Sequence, residues 1–193
     1  MSNTSERRIM AELKRFNGDK EMKLAPINDG DLRNLIGSFI GFENTPYEGG
    51  EYQIRFQIPS DFPFKVPKAT FITRVWHPNI SSVTGCICLD LLKGEKWQPS
   101  ISLKNILTSI QTLLLLAEPD DPQDAVVASQ LINNKELYEQ TASYWNYIFA
   151  NGPEKPYFKE MDMKVDLLVA KGLDKTEAIH KLSMANWTIE MVD

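Results

Sequence analysis

The chain has 193 residues, 42% hydrophobic and 24% charged, with a formal net charge of −5; these are the proportions of a folded domain rather than a disordered segment, and the acidic balance excludes a general nucleic-acid binder while leaving a local basic patch open. The longest apolar run, residues 113–117, is far short of the roughly 20 residues that cross a bilayer, and the polar start MSNTSERR has no apolar stretch of a signal peptide. The expected compartment is therefore the cytoplasm, with the nucleus as a second one, where two cysteines, Cys86 and Cys88, are not expected to form a structural staple.

Residues 5–16 place Ile9, Leu13 and Phe16 on one helical face and Arg7, Arg8, Lys14 and Arg15 on the others, with Asn17-Gly18 as the stop. From residue 51 to 58, Tyr52, Ile54, Phe56 and Ile58 alternate with Glu51, Gln53, Arg55 and Gln57, the period of a half-buried strand. Apolar runs at 35–42 and 69–73 complete a predicted antiparallel meander. The pattern then turns helical. Ser102 caps a predicted helix through Ala117, with Leu103, Ile106, Leu107, Ile110 and Leu114 on its buried side. Asp121-Pro122 reads as cap and first residue of a second helix, and Asn133 with Glu136 as the capping pair of a third that carries Leu137, Tyr144, Trp145 and Ile148. NGPEKPYFK has no periodicity and reads as a linker. Beyond it Met161, Val165 and Leu168, an Asp174/Glu177 capping pair, Ala178, Ile179 and Leu182, and finally Trp187 outline three small helices.

The stretch HPNISSVTGCICLDLL, followed by Trp-x-Pro and an apolar helix, resembles the active-site region of ubiquitin-conjugating enzymes. TPYEGGEYQIRFQIP, PSDFPFKVPKATFITRVWHPN and EPDDPQDAVVA follow in that family's order, and EPDDPQDAVVA with the helical tail resembles the subclass carrying a C-terminal ubiquitin-associated (UBA) domain. The resemblance implies an α+β fold, with an N-terminal helix, an antiparallel β-meander and C-terminal helices, followed by a three-helix bundle. The domains expected from it are a catalytic unit at 1–150, a linker at 151–159 and a UBA-like module at 160–193. The implied activity is a transferase that takes ubiquitin from an ATP-using activating enzyme as a thioester and passes it to lysine amines of substrates or of ubiquitin, with a ligase. Chain building for proteasomal degradation goes with the subclass by analogy alone. Ubiquitin, the activating enzyme, RING-type ligases and protein substrates are the expected partners of a monomer that needs no nucleic acid, membrane, metal or cofactor of its own. A non-catalytic ubiquitin-binding adaptor, a carrier of another ubiquitin-like modifier and a redox-sensing Cys-x-Cys protein are the alternatives.

In the family's motif Cys88 holds the nucleophile's place, while Cys86 stands where a small residue is tolerated and is weighed as a thiol that caps oxidised Cys88. The thiolate is the attacking form, and sulfur leaves well, so the site must add charge stabilisation and a place for an amine. Asn79 matches the residue that donates to the oxyanion or holds the local loop; His77 reads as a structural turn residue. Asp121 matches the acid that orients the incoming lysine, beside its alternative as a helix cap, and Asp90 is either an acid near the lysine's path or a solvated turn residue. Arg8, Phe64, Pro99 and Ser100 match the surface that meets the activating enzyme and ligases, Arg8 and Pro99 having plain alternatives as a solvated charge and a loop stiffener. Phe42 and Val66 stand where the family commonly has Pro, and the KGEKW loop is about one residue longer than its usual spacing. Lys171-Gly172-Leu173 replaces the family's Met-Gly-Phe loop, so Gly172 and Leu173 are candidate ubiquitin contacts, and packing on the catalytic unit is the other role of that module.

Overall fold

In the computed structural model, which describes residues 4–192, the opening helix α1 spans Thr4–Lys14 and buries Ile9 completely, with Phe16 just past its end also buried. Four strands follow as an antiparallel meander in sequence order: β1 (Met22–Pro26), β2 (Asn34–Ile40), β3 (Glu51–Gln57) and β4 (Lys68–Phe71). β3 shows the predicted alternation, since Tyr52, Ile54 and Phe56 are buried while Glu51, Arg55 and Gln57 are exposed. β2 stops at Ile40 rather than Phe42, and β4 at Phe71 rather than Thr73, whose hydroxyl instead accepts the Gln53 N–H at 2.9 Å. β1 is an addition to the sequence reading. Its only inward apolar side chains are Met22 and Leu24, too short a period to stand out, and its Pro26 is tolerated because β1 is an edge strand.

Helix α2 (Leu103–Leu115) lies over β2, and Gly37 makes that approach possible: a Cβ there would stand 2.8 Å from Leu107 Cδ1. Ser102 caps α2 as expected, in a reciprocal box with Asn105. Two caps differ from the sequence reading. Asp121 does not open a helix; α3 spans Ala125–Asn133 and its cap is Asp124, whose carboxylate accepts the Val127 N–H, while Pro122 lies in the irregular turn before it. Helix α4 (Lys135–Ala150) is capped by Asn134, one residue after the predicted Asn133, because it is the Asn134 side chain that accepts the Leu137 N–H at 3.1 Å.

Helices α5 (Phe158–Ala170) and α6 (Lys175–Met184) follow, with Asp174 capping α6 as expected, and the last predicted helix is a single 3-10 turn at Ile189–Met191. This C-terminal module packs on α4. Trp145 Nε1 donates to Ser183 Oγ and Trp187 Nε1 to Thr141 Oγ1, each at 2.9 Å, and the Tyr144 ring stands 5.4 Å from Phe158 and 5.2 Å from Trp187.

Candidate active site

The segment holding both cysteines is laid along β4 by Gly85, whose backbone is left-handed (φ +71) and whose Cβ position would fall 2.3 Å from the Phe71 carbonyl oxygen. Only glycine fits there. Bridges pair Thr70 with Cys86 and Ile80 with Ile87, so side chains alternate across an extended segment. Ile87 is buried, Cys86 is exposed, and Cys88 is half-buried on the same outer face as Cys86.

Cys88 Sγ faces Asp121 Oδ2 at 3.9 Å. A 3-10 turn, Asp90–Leu92, follows the cysteine and carries Asp90 to Lys93, which donates to it at 2.8 Å and lies 3.8 Å from Asp121 Oδ2. Lys96 also donates to Asp90, so both lysines of the long KGEKW loop fold back toward the cysteine. These hydrogen bonds, Lys93 first, hold the Asp90 carboxyl down to about 2, and Asp90 in turn raises Lys93. Burial pushes the Cys88 thiol up, the Lys93 ammonium pulls it back, and Asp121, Asp90 and Cys86 push it up again. Lys93 is the residue that sequence reading overlooked. Its signal was the three-residue spacing from Asp90, which brings opposite charges together on one helical turn.

Asn79 is buried, and its whole carboxamide is engaged. Nδ2 donates to the carbonyls of Glu118 (2.8 Å) and Asp121 (3.1 Å), Oδ1 accepts the Glu118 N–H at 2.8 Å, and the Asn79 carbonyl accepts the Cys88 N–H at 2.8 Å. One residue thus ties the segment bearing Asp121, through its side chain, to the segment bearing Cys88, through its backbone carbonyl. His77 is fully buried, accepts the Asn79 N–H on Nδ1, and has no hydrogen-bond partner for Nε2. Burial lowers its pKa to about 3, against a weaker opposing pull from the Leu113 carbonyl, so the ring is neutral. Among the described residues no group of three or more His, Cys, Asp or Glu side chains is arranged to hold a metal ion.

Arg8, Phe64, Pro99 and Ser100 come to one end of the molecule. Arg8 is not a solvated charge: its guanidinium donates to Glu12 (2.6 Å) and to the carbonyls of Pro99 (2.8 Å) and Ile101 (3.0 Å), and it lies over the Phe62 ring. Trp97 Nε1 donates to the Pro63 carbonyl at 2.7 Å, which fixes the loop from which Phe64 projects, 72% exposed. Pro99 and Ser100 are exposed beside it. Gly172 and Leu173 lie far along the chain in the turn between α5 and α6, Gly172 exposed and Leu173 half-buried against the core.

The family model described as "Ubiquitin-conjugating enzyme" matches residues 8–146. Ubiquitin-conjugating enzyme E2 K of Homo sapiens is 43% identical over 194 residues, covering 98% of this chain and 96% of that protein. Ubiquitin-conjugating enzyme E2 21 of Caenorhabditis elegans is 44% identical, covering 98% of this chain and 90% of its own. Among solved structures, the E2 domain of a Toxoplasma gondii ubiquitin conjugating enzyme is similar with a TM-score of 0.71 at 41% identity, over 75% of this chain and 98% of that one.

Proposed function

Because this chain belongs to the ubiquitin-conjugating enzyme family, whose members are transferases that work through a cysteine thioester, we propose that Cys88 is its carrier thiol, with Asp121 orienting the acceptor amine and Asn79 holding the two together. The observation that carries the reading is the half-buried Cys88 sulfur facing the Asp121 carboxylate at 3.9 Å. In charging, the Cys88 thiolate attacks the activating enzyme's ubiquitin thioester; a new carbon–sulfur bond forms and the activating enzyme's thiolate leaves. In transfer, a lysine amine attacks the same carbonyl, the negative charge passes through the oxygen, and the Cys88 thiolate departs as the amide forms and the nitrogen gives up its proton. ATP is spent upstream, by the activating enzyme.

Asp121 is open to solvent, with a side chain 76% exposed. A carboxylate raises the pKa of a neighbouring ammonium, so its contribution is to hold the amine in line with the carbonyl rather than to deprotonate it. Asn79 spends both amide protons on backbone carbonyls, which supports its role as the tie that holds Asp121 at the sulfur. Asp90 acts through Lys93, setting how much positive charge the thiolate meets, and buried neutral His77 shapes the turn.

Ubiquitin, an activating enzyme and ligases are the partners that membership of the family implies. The end built from Arg8, Phe64, Pro99 and Ser100 is the proposed docking surface for the last two; an apolar ring as exposed as Phe64 is supported by that use. The module at 160–193, after a linker at 151–159, is proposed as UBA-like, and its polar and aromatic contacts with α4 favour a packing role over ubiquitin capture by Gly172 and Leu173.

Incubation with activating enzyme, ubiquitin and ATP tests the carrier directly. Wild type and Cys86→Ser are expected to give a reductant-sensitive ubiquitin adduct; Cys88→Ser is expected to lose it or to convert it to a reductant-resistant ester. An adduct that survives in Cys88→Ser as a thioester would move the carrier to Cys86.

A further inference from the structure

The C-terminal module reaches the catalytic segment through a side-chain relay whose hydrogen-bond directions are determined. The Trp76 indole is donor-only, so Gln130, buried in α3, must present Oε1 to it, at 2.8 Å. That leaves Gln130 Nε2 pointing away, and it donates to Asn186 Oδ1 at 2.9 Å. The Trp76 indole and the Asn186 oxygen demand the same orientation of the Gln130 carboxamide, since a flip would set N–H against N–H at Trp76. Asn186 therefore holds the far end of Gln130, and with it the position from which Gln130 receives Trp76. The Trp76 carbonyl accepts the Tyr47 hydroxyl at 2.8 Å, and the residues directly after it are His77, Pro78 and Asn79, the last being the tie between Asp121 and the Cys88 N–H.

A second relay meets the same run from its other side. Ser82 spends its hydroxyl proton on Asp124 Oδ2 at 2.7 Å, so His180 Nε2, 3.3 Å from Ser82 Oγ, is the donor of that pair. The backbone N–H groups of Asp124 and Gln123 donate to the Pro78 carbonyl at 2.9 and 2.8 Å. The module also holds Asn186 in an uncommon shape for this purpose. Asn186 (φ 50) and Trp187 (φ 60) are consecutive left-handed residues without glycine, a conformation that persists only where the surroundings over-determine it. Here the Trp187 indole, bonded to Thr141 and set edge-to-face against Tyr144, does so.

We propose that Asn186 is a positioning residue for transfer from Cys88, acting through Gln130 and Trp76 on the run that carries Asn79, so that the docked module sets the rate of the catalytic unit. This rests on the Cys88 reading above. The test uses the full chain and three single variants. Asn186→Gly keeps the left-handed backbone and deletes the acceptor; Asn186→Asp keeps an acceptor oxygen; Gln130→Met removes the relay from its other end. Each is charged with ubiquitin, activation is quenched, and discharge to free lysine is followed across lysine concentrations. Loss of one hydrogen bond from a geometry-critical relay, part-buried at Asn186 and buried at Trp76, is expected to lower the maximal discharge rate about threefold to tenfold in Asn186→Gly and Gln130→Met, with the dependence on lysine concentration unchanged. The Asn186→Asp variant discharges at nearly the wild-type rate, the double variant is no slower than either single one, and the Trp76 indole proton exchanges faster wherever discharge is slow. Wild-type discharge in both Asn186→Gly and Gln130→Met, with only the melting temperature lowered, overturns the inference and leaves Asn186 a docking residue. Failure of wild type to charge on Cys88 would instead remove the premise, a result distinguishable at the first step.

Discussion

At Cys88 four charged or ionisable neighbours act on one sulfur, and Lys93 is the only one that favours the thiolate. In a Cys86→Ser background, Lys93→Met is therefore expected to move the pH profile of Cys88 alkylation to higher pH, and Asp121→Asn to move it to lower pH; rates of reaction with iodoacetamide between pH 6 and 10, roughly spanning the ordinary thiol range, give both directions. Opposite movements would mean that the Lys93–Asp121 contact, rather than either charge, governs the thiol. His77 supplies a second titration. Its pKa falls from 6.5 in ordinary surroundings to about 3 here, so as pH drops below 6.5 the unfolded chain takes up a proton that the native ring refuses, and native stability is lost progressively down to about pH 3. Between pH 7 and 5 the loss amounts to about 2 kcal/mol. Urea unfolding of wild type and His77→Gln at both pH values is expected to show the gap between them narrowing by that amount. Asn79 and Cys88 stand in one ordered motif and Asp121 in a second, EPDDPQDAVVA, so motif order alone singled them out and the structure brings them together; Lys93 was not singled out, because its place depends on a loop folding back through three lysine–carboxylate contacts. Asp121 as a helix cap was the misreading: Asp-Pro has the right local chemistry, and Asp124 three residues later has it too, with the Pro78 carbonyl fixing the backbone of the second one.

Among elements, those with long periods were readable and those defined by distant partners were not. β3 and α2 carry their periods in full, whereas β1 has two inward side chains and exists because β2 offers it a pairing edge. Glu12 makes the same point within a helix. It lies on the buried face of α1 with 0% exposure, accepts the Arg8 Nε–H at 2.6 Å and receives the N–H of Leu103, the first residue of α2, at 3.1 Å. A carboxylate among the basic residues of α1 reads as surface charge until α2 arrives 91 residues later. It joins α1, α2 and the Arg8–Pro99 end in one joint. Glu12→Ala leaves the buried Leu103 N–H without its acceptor and takes one of three acceptors from the Arg8 guanidinium, a loss of about 3 kcal/mol that corresponds to a melting temperature lower by roughly 6 to 12 °C in a chain of this size. Glu12→Gln retains an acceptor and is expected to recover at least half of the difference in calorimetry.

For the molecule as a whole, the question is whether the C-terminal module is a passenger. A module of this length is near the lower limit for a domain that folds unaided, and its buried residues Phe158 and Trp187 pack against Tyr144 of α4 rather than only against one another. The hydrogen bonds from Trp145 to Ser183 and from Trp187 to Thr141 cross the same boundary, and the ring of Trp76, at the head of the HPN run, lies tilted 5.1 Å from that of Trp145. Ring contacts therefore run from Trp76, just before the HPN run, through Trp145 of α4 to His180 of the module. If those contacts couple the two sides, unfolding of the intact chain is a single transition, because neither side keeps its core without the other. Trp187→Ala deletes a side chain that is 4% exposed, at a cost of about 3 to 5 kcal/mol, and that loss falls on the docking rather than on the sheet. The expected outcome is separation of the melting curve into an early step and a late one, with trypsin cutting after Lys159, exposed in the first turn of α5, faster than in wild type and leaving a resistant fragment that ends there. A single transition merely displaced to lower temperature, with no gain in cutting after Lys159, would mean that the module and the rest of the chain remain one cooperative body even without the indole.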